Sequence, residues 1–283
     1  MHRNYIKPLT EKEIAVIERK GTERPFSGEY ENHFDEGVYI CRKCGAPLYR
    51  SDAKFASHCG WPSFDDQIAD AVHASPDADG RRTEITCSSC GGHLGHVFSG
   101  EGYTEKNLRH CVNSLSIRFI PTRRALFASG CFWGTQYHFD RAEGVILTTA
   151  GYTGGKVESP SYREVCTGTT GHVEAVEVLY DPERIGYEEL AKLYFETHDP
   201  TQSNGQGPDI GPQYLSVAFY NNQKERETLE HLIDELTGRG LDVATRLQPS
   251  GIFWPAEAYH QHYYDEKGGK GKRPYCHIYT KRF

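Results

Sequence analysis

The sequence predicts two domains in tandem, a mainly-β N-terminal domain and a C-terminal domain in which strands and helices interleave. Three observations predict this. At 283 residues the chain is longer than one typical domain. Its first part carries two Cys-x-x-C pairs, Cys41 with Cys44 and Cys87 with Cys90, each behind a strand-like run. Its later part alternates β-branched runs with helical apolar spacings, and the polar segment Pro121-Thr122-Arg123-Arg124 separates the two parts. The boundaries are therefore 1–120 for the first domain, 121–124 for a linker and 125–283 for the second.

Composition narrows the function classes. Hydrophobic residues at 37% and charged residues at 25% fit a soluble globular protein with enough apolar mass for real cores. A net charge of −7 argues against a general nucleic-acid binder, which needs a basic face. The start Met1-His2-Arg3-Asn4-Tyr5 lacks the apolar core of a signal peptide, and no run approaches membrane-spanning length. A cytoplasmic protein is expected, with neither a nucleic-acid nor a membrane partner. In that reducing compartment nine cysteines point to metal or redox chemistry rather than to disulfide staples. The single methionine, at position 1, suits work amid oxidants, and compositional drift explains it equally well.

In the first half, Thr10-Glu11-Lys12-Glu13 has the capping-box pattern, with Ile14 and Ile17 as the apolar side and Gly21 as the stop, so a short helix leads the chain. Gly37-Val38-Tyr39-Ile40 reads as a strand running into Cys41, and Arg82-Thr83-Glu84-Ile85-Thr86 as one running into Cys87. Two such knuckles supply four thiolates to one tetrahedral zinc ion, making this a zinc-containing domain. The alternative, two redox dithiols, needs each pair to open a helix, and neither does. A closed four-thiolate site has no open position, so this zinc is structural. His58-Cys59-Gly60-Trp61-Pro62-Ser63-Phe64 is read as irregular because of its Gly and Pro. His93 and His96 are read in a glycine-flanked loop that aims side chains, although a single His among 14 is more often surface or satisfied core. Residues 109–119 alternate with period 2, which puts Cys111, Asn113, Leu115, Ile117 and Phe119 on one strand face.

In the second half, the apolar run Ala125-Leu126-Phe127-Ala128 feeds Ser129-Gly130-Cys131-Phe132-Trp133-Gly134, and Thr135-Gln136-Tyr137-His138-Phe139 reads as the first turns of a helix. A thiol at a strand-to-helix turn sits among unpaired N–H groups, and these with the helix dipole favour its thiolate. Most free cysteines are buried small hydrophobes, and Cys131 has that reading too. Tyr152-Thr153-Gly154-Gly155 is a glycine turn, and residues 171–182 are mostly strand, ended by Asp181-Pro182. Residues 187–198 form a helix with Leu190, Leu193, Tyr194 and Thr197 on one face; Leu229, Leu232, Ile233 and Leu236 mark another before Gly238. Residues 205–214 hold too much Gly and Pro for either state. The half reads as α/β or α+β with a functional loop.

Taken together, the paired knuckles, C-G-W-P-S-F, G-H-L-G-H-V-F and R-H-C-V-N-S resemble, over residues 1–120, the B-type methionine sulfoxide reductases. G-C-F-W-G, Y-T-G-G, S-Y-R-E-V-C-T-G-T-T-G-H-V-E-A-V, H-D-P and P-Y-C-H-I-Y resemble, over 125–283, the A-type enzymes. The chain is thus similar to fused two-domain reductases with the B-type half first, and the second domain is expected to be α+β, a mixed sheet with flanking helices. The resemblance implies Cys111 as nucleophile and Cys59 as resolving thiol of the first site, zinc on Cys41, Cys44, Cys87 and Cys90, and a pocket of Trp61, His93, His96 and Asn113, with His73 as a further pocket histidine. Ser57-His58 stands where the family often carries Ser-Gly. For the second site it implies Cys131 as nucleophile, Glu174 as acid, Phe132 and Trp133 as the methyl pocket, Tyr162, Asp209 and Tyr214 completing the site, and Cys276 as resolving thiol. Many relatives have two tail cysteines where this chain has one, which implies a single-step relay; Cys166 is read as structural. Thioredoxin as reductant, oxidised proteins or free methionine sulfoxide as substrate, no organic cofactor, and the R and S epimers for the first and second halves also follow from the resemblance.

The chemistry sets its own demands. A sulfoxide sulfur is a poor electrophile until its oxygen is protonated or strongly hydrogen-bonded, so each site needs a thiolate and a proton donor. Glu174 serves only if burial beside Phe132 and Trp133 keeps it protonated, with the hydroxyls of Tyr162 and Tyr214 beside it. Without the motif it reads as a solvated strand carboxylate like Glu177. No carboxylate stands out in the first half, so His93 or His96 is the expected donor. Two rival readings are a zinc-ribbon binding module, opposed by the acidity and the aromatic, histidine-rich loops, and a hydrolase with Cys131 as nucleophile, which leaves Cys276 and the tandem arrangement unexplained.

Overall fold

The computed structural model describes residues 5–78, 80–266 and 273–283. Met1 to Asn4, part of the N-terminal reading above, lie outside the described residues. The chain divides into two units, Met1–Thr122 and Arg123–Phe283.

The first unit opens with α1 (Glu11–Ile17), whose capping box is complete: Thr10 Oγ1 accepts the Glu13 amide and the Glu13 carboxylate accepts the Thr10 amide. The helix ends before Gly21, and it is Lys20 that turns left-handed, at φ 58°. The strands follow as β1 (Gly37–Cys41), β2 (Pro47–Arg50), β3 (Lys54–Phe55), β4 (Ser63–Phe64), β5 (Val72–Pro76), β6 (Thr83–Cys87), β7 (His93–Ser99), β8 (Leu108–Val112) and β9 (Ile117–Pro121). They form two sheets, β2-β1-β9 and β3-β4-β8-β7-β6-β5, with antiparallel neighbours throughout. Tyr39, Leu48, Tyr49, Phe64, Ile85, Leu94 and Val112 make the core between them, with Tyr49 stacked on Phe64 at 4.3 Å.

Three local expectations change here. Residues 93–99 are strand β7 rather than a loop; Gly95 sits inside it because a side chain there would lie 2.0 Å from the Cys111 carbonyl oxygen. Residues 109–119 are not one strand. β8 ends at Val112, a 3₁₀ turn spans Ser114–Ser116, and β9 continues in the other sheet, because the Glu23 carboxylate accepts the Ser114 and Leu115 amides and breaks the ladder. Ser63–Phe64, within the segment expected to be irregular, pairs with β8.

The second unit contains β10 (Arg123–Ser129), α2 (Phe132–Phe139), β11 (Val145–Thr153), α3 (Tyr162–Cys166), β12 (Val173–Tyr180), α4 (Tyr187–Glu196), β13 (Gly205–Gln206), β14 (Asp209–Ile210), β15 (Ser216–Tyr220), α5 (Gln223–Gly238), β16 (Arg246–Pro249), β17 (Phe253–Pro255) and α6 (Tyr263–Glu266). Its main sheet has the order β16-β15-β10-β12-β11-β17, antiparallel except for β15 with β16, which is the mixed sheet expected. β10 lies centrally with both faces covered, which is why it reads as a continuous apolar run. On one face Phe127, Phe132, Tyr152, Tyr194, Leu229, Leu232 and Leu236 form the core with α2, α4 and α5; on the other, Leu126, Ala175, Val217 and Phe219 cluster. The Gly/Pro-rich loop closes into the small β13-β14 pair. Glu177 is not solvated: it is buried and its carboxylate accepts from Arg124 Nε at 2.7 Å. Among the described residues no helix is long and apolar enough to cross a membrane.

Candidate active sites and a candidate metal centre

The knuckles behind β1 and β6 bring Cys41, Cys44, Cys87 and Cys90 together, all four sulfurs within 4.8 Å of one another. Cys41 and Cys90 sulfurs are 3.7 Å apart and those of Cys44 and Cys87 3.6 Å. Zn–S bonds of ~2.3 Å in a tetrahedron set sulfur–sulfur separations of roughly 3.8 Å. The cluster fits one four-coordinate, thiophilic ion.

On the same six-stranded sheet, β8 and the loop before β4 bring Cys111 Sγ and Cys59 Sγ to 3.8 Å. Ser57 donates to Cys59 at 3.0 Å and Arg109 Nη1 reaches Cys59 at 3.4 Å, while the rest of that guanidinium is held by both oxygens of Glu101. The neighbouring Cys111, with the hydroxyls of Ser57 and Ser63, holds Cys59 below the ordinary thiol range. The same contact, with burial, holds Cys111 above it, and the Arg109 charge opposes that rise.

His96 stands directly across the ladder from Cys111, and its Nε2 bonds Asp77 at 2.8 Å. His93 Nδ1 bonds Glu84 at 2.7 Å, and Lys20 holds the other Glu84 oxygen; the buried His93 Nε2 has no partner among the described residues. Burial pushes His93 down from the ordinary histidine range. Trp61 and Asn113 meet through Glu23, whose carbonyl accepts Trp61 Nε1 at 3.2 Å and whose amide donates to Asn113 Oδ1 at 3.0 Å. Asn113 Nδ2 donates to the Leu94 carbonyl, so this amide is committed to backbone at both ends. His58 has φ 56°, the left-handed conformation that glycine adopts freely. His73 lies exposed on edge strand β5, three strands from β8, and is not brought to this site. A hollow of about 640 Å³ elsewhere in this unit is lined by Glu23, Arg24 and Arg42 and by none of the expected site residues.

In the second unit a cavity of about 440 Å³ gathers Cys131, Phe132, Trp133, Tyr162, Glu174, Asp209, Tyr214 and Cys276. Cys131 is the N-cap of α2, after the end of β10; Gly130 before it takes φ 93°, a left-handed angle open to glycine, and its missing side chain leaves room for Gln206. Glu174 projects from β12, 2% exposed, and its Oε2 accepts the Phe132 amide at 3.1 Å. Burial raises this carboxyl to about 8, against the pull of that amide, so it carries its proton at neutral pH. Burial also pushes Tyr162 up and lifts Tyr214 to about 12, so both hydroxyls remain donors.

Cys131 departs from the thiolate expected at a helix start. Burial pushes its thiol well above the ordinary range, Glu174 adds to this once it ionises, and the Trp133 amide only partly offsets them.

Several contributors were not anticipated. Trp133 stacks on Tyr263 at 3.7 Å and donates to His260 Nδ1, and His260 packs against Tyr162 at 4.4 Å. Glu257 accepts the Tyr162 amide and the Tyr152 hydroxyl, fixing the wall that carries Tyr162. Glu23, Glu84, Asp77 and Arg109 do the same for the first site. Of these only Arg109, two residues before Cys111, carried a local signal; the others come from distant segments. Cys166 is exposed at the end of α3 and does not line the cavity.

The profile of the SelR domain matches residues 9–121, and that of peptide methionine sulfoxide reductase matches 123–283. The peptide methionine sulfoxide reductase MsrA of Geobacter sulfurreducens is 46% identical over 151 residues, covering 52% of this chain and 92% of that protein. The chloroplastic peptide methionine sulfoxide reductase B2 of Arabidopsis thaliana is 53% identical over 119 residues, covering 42% of this chain and 59% of that protein. Among solved structures, reduced Mxr1 from Saccharomyces cerevisiae is 33% identical with a TM-score of 0.52, covering 56% of this chain and 92% of that one.

Proposed function

The chain belongs to the peptide methionine sulfoxide reductases, a B-type unit fused ahead of an A-type unit, and on that premise we propose that the two units reduce opposite sulfoxide epimers, R in the first and S in the second, by one chemical scheme. A cysteine sulfur attacks the sulfoxide sulfur as a donor protonates its oxygen. The S–O bond breaks, methionine leaves, and the oxygen remains on the cysteine as sulfenic acid. A second thiol condenses with it, releasing water and leaving a disulfide. A dithiol protein, thioredoxin, reopens that disulfide by exchange.

The observation that carries this reading is the protonated Glu174 in one cavity with Cys131, Tyr162, Tyr214 and Cys276. Glu174 donates to the sulfoxide oxygen, the two tyrosines bind it, Phe132 and Trp133 receive the methyl group, Asp209 completes the pocket and Cys276 resolves Cys131. In the first unit Cys111 attacks and Cys59, 3.8 Å away, resolves. The donor there is His96, opposite Cys111, or His93, whose buried Nε2 has no partner among the described residues; Trp61 and Asn113 shape the pocket. Cys41, Cys44, Cys87 and Cys90 hold one structural zinc ion, which ties two knuckles together and takes no part in the chemistry. Substrates are oxidised proteins or free methionine sulfoxide, and the proposed setting is a reducing cytoplasm, where thiols persist.

The test is an epimer-resolved reduction assay with thioredoxin or dithiothreitol on wild type, Cys111→Ser and Cys131→Ser. The expected result is that Cys111→Ser loses only the R epimer and Cys131→Ser only the S epimer. Loss of both epimers in both variants would overturn independent sites.

A further inference from the structure

The histidine that follows Cys276 has no part in the scheme above, yet it is built into the site. His277 is 2% exposed and its Nδ1 lies 3.1 Å from Cys276 Sγ. Its Nε2 lies 3.3 Å from Thr135 Oγ1 and 3.4 Å from Ser129 Oγ, and these two hydroxyls bond each other at 2.7 Å. The ring occupies space that only a glycine leaves open. A side chain at Gly134, on the first turn of α2, would come within 2.2 Å of Nδ1. The segment is fixed on both sides, since Gln206 donates to the Cys276 carbonyl and His138 Nε2 bonds the His277 carbonyl.

We propose that His277 is a catalytic base that takes the proton from the Cys276 thiol as that sulfur closes on oxidised Cys131. This rests on Cys276 being the resolving thiol. Cys276 sulfur, losing its proton to Nδ1, bonds to the Cys131 sulfenic sulfur. The Cys131 S–O bond breaks, and the oxygen leaves with that proton as water. Cys276 sulfur is oxidised, the sulfenic sulfur is reduced, and no outside reagent enters. Burial disfavours an imidazolium, so the proton does not rest on Nδ1 but passes on to the leaving oxygen as the S–S bond forms. Burial and Asp209 hold the thiol up at about 12, so it does not ionise unaided. The groups facing the pair are Asp209 from β14, Cys131, Tyr264 from α6, Tyr275, His138 from α2 and His198 after α4. Asp209 is the rival acceptor for the same proton.

The test follows single turnovers without reductant in the full chain carrying Cys111→Ser, counting methionine released, sulfenic acid trapped and thiols lost. His277→Gln is expected to release methionine within about twofold of its parent while disulfide closure slows about 100-fold. Closure at the parental rate would overturn the proposal. Closure in the parent is also expected to be flat from pH 6 to 9 and to remain flat in Asp209→Asn. A rise of about tenfold per pH unit in either protein, the signature of unaided thiol ionisation, would overturn it without any variant at His277. Cys276→Ser separates the premise from the proposal. It must retain trapped sulfenic acid; if it loses thiols as its parent does, Cys276 is not the resolving thiol.

Discussion

Glu174 Oε2 accepts the backbone N–H of Phe132, the residue after Cys131, at 3.1 Å. That bond ties the Glu174 carboxyl of β12 to the turn that carries Cys131. The S-epimer rate should be level up to about pH 7 and fall about tenfold per pH unit once Glu174, raised to about 8, loses its proton. Glu174→Gln should lower kcat by roughly 10²–10⁴-fold and abolish this fall.

The same carboxyl links stability to pH. Between its ordinary 4.5 and about 8 the folded protein holds a proton that the unfolded chain has released. Stability from this group therefore declines as pH rises through that window, by about 1.4 kcal/mol per pH unit. Urea titrations at pH 5 and pH 8 should find Glu174→Gln less pH-sensitive than wild type and more stable at the higher pH.

Purified protein should contain one zinc per chain. Structural zinc sites contribute on the order of 10 kcal/mol to folding, so chelation or Cys44→Ser should unfold the first unit. Circular dichroism and elemental analysis would follow this, with R-epimer activity lost and S-epimer activity kept.

Cys59→Ser should leave the first-site burst of methionine intact but stop turnover with thioredoxin. Mass spectrometry after one turnover should find sulfenic acid on Cys111 instead of a disulfide. Continued thioredoxin-driven turnover would remove Cys59 from the relay.

Gly95→Ala should destabilise the first unit by about 2–3 kcal/mol, because the new methyl meets the Cys111 carbonyl oxygen. R-epimer activity should fall because β8 must shift. Denaturant unfolding followed by Trp61 fluorescence would check this.

Much of this was legible in the chain. The knuckles, the apolar strand into Cys131 and the capped α1 are local patterns and formed as read; the helix read from Thr135 begins three residues earlier, at Phe132. What was not legible depended on partners far away in sequence. Residues 109–119 alternate with period 2, yet the strand breaks because Glu23 captures the Ser114 and Leu115 amides from 91 and 92 residues away. His93 and His96 looked loop-borne because Gly95 reads as a breaker, when the glycine instead admits a neighbouring strand. The helix start favours a Cys131 thiolate, a local effect that burial outweighs, in line with the alternative reading as a buried small hydrophobe.

The packing of His277 over Gly134 has a consequence for how this sequence can change. A ring at 277 and a side chain at 134 exclude each other, so the two positions are not independent letters. Position 277 can shrink first and then release 134, whereas the reverse order passes through a steric dead end. A library that randomises each position alone should recover only glycine at 134, while one that randomises both should recover paired exchanges. Mutational history at this corner is thus directional, with the route set by which side chain yields first.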